Sequence, residues 1–186
     1  SIKFGSAHLW KEQVCHGYGC SETPITMDIP DLPPDISFNR LAQTPEAMDF
    51  AFEVKRAALG PRIIARWGWD EAFQRTFHEQ QFRDRPVSRI MYHGQAVGTV
   101  ALTAASDHIR FDDFYLFPAH QGQGVGTRIL KHCLAIAEAQ GKPMRLQHLK
   151  WNPVGSLYRH HGFSVIDETE THFIMERQPG GTELAS

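Results

Sequence analysis

The chain has 186 residues, enough for one domain with a real core, and 41% of them are hydrophobic. With 22% charged residues and a formal net charge of −2, it has no basic field for nucleic acid or an anionic membrane, and no apolar run approaches a spanning helix. Three cysteines are too few, and odd in number, for a disulfide scaffold; with no signal-peptide core in the sequence, a cytoplasmic location is expected.

Residues 1–35 hold Cys15, His16 and Cys20 in a C-x4-C spacing with no second pair downstream, which is a poor zinc signature. No metal is assigned, and this stretch reads as a loosely ordered extension ahead of a domain over 36–177. A strand is expected over 36–42. Thr44 caps a helix with Pro45 at its first position, and Ala47, Phe50, Ala51, Val54 and Ala58 form its apolar stripe until Gly60-Pro61 stops it. A second helix is expected over 70–82, burying Phe73, Phe77 and Phe82. Strands over 87–92 and 96–104 join at the His93-Gly94 turn, and a third runs over 109–117. In that third strand simple alternation puts Ile109, Phe111, Asp113, Tyr115 and Phe117 on one face. Arg110, Asp112, Phe114 and Leu116 fall on the other, which suits a cleft wall. A helix over 124–140, a strand over 144–151, a short helix after Pro153 and a hairpin over 163–176 complete the domain. Residues 178–186, with Pro179-Gly180-Gly181, read as a disordered tail. The pattern is α+β: a mixed, mostly antiparallel central sheet flanked by helices in three layers.

Between the third strand and its helix lies Pro118-Ala119-His120-Gln121-Gly122-Gln123-Gly124-Val125-Gly126. Glycines at a strand-to-helix junction let backbone N–H groups approach an anion, and the helix dipole favours negative charge there. Neither G-x-G-x-x-G nor the P-loop spacing fits, because the third glycine of the first would fall on Thr127 or Ile129. What is present, Gln121-x-x-Gly124-x-Gly126, resembles the pyrophosphate motif of the GNAT acyltransferases. Downstream, Asn152, a short helix, Tyr158 and Gly162-Phe163 resemble that family's second hallmark, in the family's order.

The resemblance covers roughly residues 36–177 and implies a GNAT-like α/β/α sandwich with acetyl-CoA as cofactor and coenzyme A as product. It implies that the backbone of Gln121, Gly122, Gln123, Gly124, Val125, Gly126 and Thr127 holds the pyrophosphate, with Arg128 and Lys131 adding charge. Phe114, Tyr115 and Leu116 would run beside the pantetheine arm, the Leu116 N–H polarising the thioester carbonyl. Asn152 would contact the coenzyme unless capping alone explains it. Tyr158 would touch the coenzyme and protonate the departing thiolate. Asp112 and His148 are candidate bases. Asp112 would act through a water, being roughly 13 Å along the strand from Leu116; a lone strand histidine is also commonly structural, and an enzyme that binds free amine needs no base.

For the acceptor, Arg66, Trp67, Trp69 and Asp70 are conspicuous, with Asp112 opposite. The indoles could wall a small amine and Asp70 or Glu71 pair with its ammonium; equally, Asp70 could cap the second helix and the indoles belong to the core. Arg62 or Arg66 could instead hold a substrate carboxylate. The expected activity is transfer of an acetyl group from acetyl-CoA to a primary amine of a small molecule, by direct attack in a ternary complex. A protein or peptide N-acetyltransferase and a non-catalytic acyl-CoA-binding regulatory domain are the alternatives. No nucleic-acid or membrane partner is expected, and a homodimer is left open.

Overall fold

The computed structural model describes residues 25–181. Cys15, His16, Cys20 and residues 182–186 lie outside the described residues. In chain order the elements are β1 (Ile25–Thr26), β2 (Ile36–Arg40), α1 (Pro45–Trp67), α2 (Glu71–Asp84), β3 (Val87–Tyr92), β4 (Gln95–Ala104) and β5 (Ile109–Leu116). Then come a 3-10 turn (Pro118–His120), α3 (Val125–Ala139), β6 (Met144–Leu149), α4 (Val154–His160), β7 (Ser164–Glu168) and β8 (His172–Arg177).

The strands form one sheet in the order β2-β3-β4-β5-β6-β8-β7, with β1 added on β4. Every pairing is antiparallel except β5 with β6. One face packs on α3 and α4, where Ile129, Leu130 and Cys133 meet Ile90, Leu102, Ile109 and Leu146. The other face packs on α1 and α2: Ala47, Ala51 and Phe82 lie against Val87 and Ala101, and Leu59 and Ile63 against Leu149. This is the expected α+β sandwich. Part of the expected extension belongs to it, since Ile25 and Thr26 pair with Ala104 and Thr103, and Ile29 is buried.

Thr44 caps α1 and Asp70 caps α2, each side chain accepting from the backbone N–H three residues on. The stop expected at Gly60-Pro61 does not occur, and α1 continues to Trp67. Losing one N–H at Pro61 is offset because Leu59, Ile63 and Trp67 carry the apolar stripe two turns further, onto Leu149 and Trp151.

The alternation expected in β5 also fails. Thr99 opposes Tyr115 and Ala101 opposes Asp112, so Asp113 and Phe114 together face Val100, and Asp113 takes a φ of 49°. This β-bulge reverses the strand's two faces. Phe114 and Leu116 join Phe111 beneath α3, the two phenyl rings 4.9 Å apart. Tyr115 turns to the α1 side with Leu59 and Ile63. Asp112 therefore does not share a face with Leu116.

Candidate active site

Strands β5 and β6 pair only at Ile109 with Met144 and Arg110 with Arg145. Beyond those two pairs they separate, and a cavity of about 670 Å³ opens between them. The Phe117 N–H donates to the Val97 carbonyl at 2.9 Å, so the main-chain groups of Leu116, one residue earlier, are directed away from β4 towards the gap. Gln121 Nε2 donates to the Leu116 carbonyl at 2.8 Å, tying the glycine loop to the strand end. Gly122 and Gly124 hold φ of 73° and 81°, and Gly124 starts α3 with no side-chain cap. Arg128 is the first residue of α3 whose N–H takes an intrahelical carbonyl, that of Gly124 at 3.0 Å. The N–H groups of the preceding turn are left for another acceptor, and Gly124, Gly126 and Thr127 line the cavity. These donors, with the dipole behind them, fit the diphosphate of a coenzyme A species.

Across the gap, Tyr158 of α4 is 5% exposed and lines the cavity, and burial pushes its phenol well above the usual tyrosine range. Beside it His148 of β6 is buried, its ring 5.7 Å from the Tyr158 ring. His148 Nδ1 donates to the Leu149 carbonyl at 2.8 Å, which leaves Nε2 as the accepting nitrogen, buried without a partner among the described residues. Burial lowers its pKa, so the imidazole is neutral near pH 7. Asn152 also lines the cavity while its Oδ1 accepts from the Val154 N–H at 3.2 Å, as a cap for α4.

The end of the cavity away from the glycine loop is formed by α1, α2 and the bulge. Lys55 of α1 is 6% exposed, donates to Gln81 Oε1 at 3.2 Å and lies over the Phe77 ring; burial pulls its pKa down to about 8. Asp113 pairs with Arg85 at 3.2 Å, and Asp112 with Arg110 at 3.1 Å. His172 of β8 lines the same space, burial holding its pKa down at about 4.

A family model described as an acetyltransferase (GNAT) domain matches residues 86–165, the span from β3 through the glycine loop to β7. Over that span the chain is similar to the GNAT acetyltransferases. Over 65 residues it is 34% identical to mouse (Mus musculus) thialysine N-epsilon-acetyltransferase, a match spanning 34% of this chain and 38% of that protein. Its fold is like that of the PaiA N-acetyltransferase from Thermoplasma acidophilum in complex with coenzyme A, with a TM-score of 0.62, 19% identity, and 78% and 99% of the two chains covered. It is also like the ribosomal-protein-S18-alanine N-acetyltransferase of Escherichia coli, with a TM-score of 0.55, 17% identity, and 81% and 96% covered.

Gln121, Gly122, Gly124, Gly126, Thr127, Asn152, Tyr158, His148, Asp112 and Phe114 to Leu116 surround one cavity. The Arg128 side chain, expected to add charge there, does not line it. Arg128 makes a two-pronged ion pair with Asp35 at 2.8 and 2.5 Å, on the flank towards β2. The side chains of Gln123 and Val125, expected to serve through their backbone, point elsewhere: Gln123 Nε2 donates to the Ala119 carbonyl, and Val125 is buried in the core.

Arg66, Trp67, Trp69 and Asp70 do not line the cavity either. Trp67 packs edge-on against Trp151 at 4.7 Å, with the Arg66 guanidinium over the Trp151 ring. Trp69 Nε1 donates to Glu71 Oε2 at 2.6 Å, and Asp70 caps α2. The side chains that do face the cavity from these helices are Lys55, Arg62, Phe77 and Gln81; the sequence offered Arg62 for a substrate carboxylate and Phe77 as a buried residue, but Lys55 and Gln81 went unnoticed. A signal existed: Lys55 interrupts the otherwise apolar stripe of α1 and stands seven residues before Arg62, on the same helix face.

Proposed function

We propose that this chain is an acetyl-CoA-dependent N-acetyltransferase that acetylates a primary amine of a small molecule in a ternary complex. One observation carries the reading: an uncapped helix start opens onto a cavity that runs between two separating strands to a buried, protonated tyrosine. In this reading the coenzyme's diphosphate caps α3, and its arm lies in the gap beside Phe114, Tyr115 and Leu116. The Leu116 N–H stabilises the oxyanion as the amine attacks the thioester carbonyl. The C–S bond then breaks and Tyr158 gives its proton to the departing thiolate.

Attack requires a neutral amine. Asp112 and Asp113 are each engaged by an arginine, which makes them poor bases. Neutral His148, with an accepting nitrogen, is the better candidate to take the ammonium proton. A small acceptor is favoured because both α1 and α2 close over the cavity's far end, and the relative with the highest identity given above is named for a small-molecule substrate.

The test pairs calorimetric titration with coenzyme A against thiol release from acetyl-CoA over a panel of small amines and of peptides. Coenzyme uptake with turnover of small amines is expected. Uptake with peptide turnover alone transfers the reading to a protein acetyltransferase, uptake without any turnover leaves an acyl-CoA-binding domain, and no uptake ends it.

A further inference from the structure

We infer that the far end of the cavity is an anion subsite, built by Lys55 and Gln81 with Arg62 nearby, and that the acceptor carries a carboxylate in addition to its amine. This rests on the acetyltransferase reading above and adds the substrate class. The starting point is an imbalance in hydrogen bonding. Lys55 is almost wholly buried, yet its ammonium has one hydrogen-bond partner among the described residues, the neutral oxygen of Gln81. Buried ammonium groups are ordinarily paired with an anion, because desolvation is costly.

Neither carboxylate of the same cavity bonds to the Lys55 ammonium, although the field of Asp113 reaches it and favours its charged form. Asp113 is held by Arg85 and Asp112 by Arg110, each at ion-pair distance. Since Gln81 Oε1 accepts from Lys55, the Gln81 amide turns its NH2 outward as a second donor. Arg62 lies two helical turns along α1 from Lys55, about 10 Å away, and also lines the cavity. It makes no ion pair with any described residue. The subsite thus presents N–H donors and positive charge, with no free acceptor of its own. A carboxylate uses such a set fully: one oxygen on the ammonium, the other on the amide, each already oriented. Phe77, under the Lys55 ammonium, closes the floor with an apolar surface that suits the methylene chain of an amino acid. An acceptor so anchored has its carboxylate end at α1 and α2 and its amine directed towards β5 and β6, where the thioester would lie.

The experiment is a set of α- and ω-amino acids, each assayed with acetyl-CoA against its own primary amide. The ω-pairs matter because their amine pKa values hardly differ, so only the distant charge changes. For the amino acids that turn over, kcat/KM is expected to exceed that of the amide by about tenfold or more. In Lys55→Met that acid-to-amide ratio should fall towards one, and in Arg62→Gln, at a half-buried site that folding tolerates, it should fall in the same direction but less.

Equal turnover of acids and amides by the wild-type chain overturns the inference and leaves the acetyltransferase reading standing. So does a ratio unmoved in Lys55→Met, or a loss confined to coenzyme affinity. No thiol release with any amine overturns both.

Discussion

Gly155 and His148 sit so close that nothing larger than hydrogen fits between them: a Cβ on Gly155 would lie 2.6 Å from Cε1 and 2.9 Å from Nε2 of the imidazole. The ring cannot swing away, since its other nitrogen is bonded to the Leu149 carbonyl and Phe173 lies 5.8 Å behind it. Gly155→Ala should therefore destabilise the fold by about 1–3 kcal/mol, outweighing the roughly 1 kcal/mol that alanine contributes to a helix. Urea unfolding measures it. Combining the change with His148→Ala should recover most of the loss, and a strictly additive double mutant would show that the two side chains do not meet.

Tyr158→Phe should lower kcat by about tenfold or more while coenzyme A affinity, read by calorimetry, stays within about twofold. Because burial holds the phenol protonated far above neutral pH, the wild-type rate should not decline through loss of this acid anywhere up to about pH 10. An alkaline limb near neutrality that vanishes in the phenylalanine variant would contradict this.

Gly124 and Gly126 should respond differently to alanine. Gly124 has a φ of 81°, so Gly124→Ala strains the helix start by about 1–2 kcal/mol and turns the donor N–H groups. Coenzyme affinity should fall several-fold. At Gly126 a Cβ meets Leu116 Cδ1 at 3.5 Å and Phe114 Cζ at 3.6 Å, ordinary contact, and Gly126→Ala should bind coenzyme nearly as the parent does. Equal losses in the two variants would count against the cradle.

Arg128→Gln should leave coenzyme affinity unaltered, because the guanidinium is committed to Asp35. Stability should drop only slightly, and less in high salt. A large loss of coenzyme binding would reinstate the expectation drawn from sequence.

Acid should unfold the domain through its buried histidines. His78 and His172 are both held at a pKa of about 4 by burial, against 6.5 when unfolded. Between those values the unfolded chain binds more protons, so stability is flat above about pH 6.5 and falls as pH drops towards 4. His78→Gln and His172→Gln should each flatten part of that slope in urea titrations run across pH.

The sheet, the two capped helices and the glycine cradle were legible because each is written in local terms: alternation, a Thr or Asp ahead of an apolar stripe, glycines between strand and helix. Three features were not, and each is settled by tertiary contact. Pro61 should end α1, but Ile63 and Trp67 find partners beyond it. Simple alternation in β5 is broken by Asp113, whose positive φ is stabilised by Arg85 on its carboxylate and by Thr99 Oγ1 donating to its carbonyl. The two indoles flanking Gly68 look made for a ligand, yet Trp151 and Glu71, the second only two residues from Trp69, absorb them. Lys55, whose charge does face the cavity, reads in sequence as a blemish on an apolar face.

With β5 and β6 laced together over only two residue pairs, the sheet consists of two panels, β2-β3-β4-β5 with β1 and β6-β8-β7, joined along a short seam. The crevice is thus also the line of least backbone adhesion across the sheet. Any molecule lying in it with groups for both lips acts as a missing rung, so occupancy and rigidity of the whole sheet rise together.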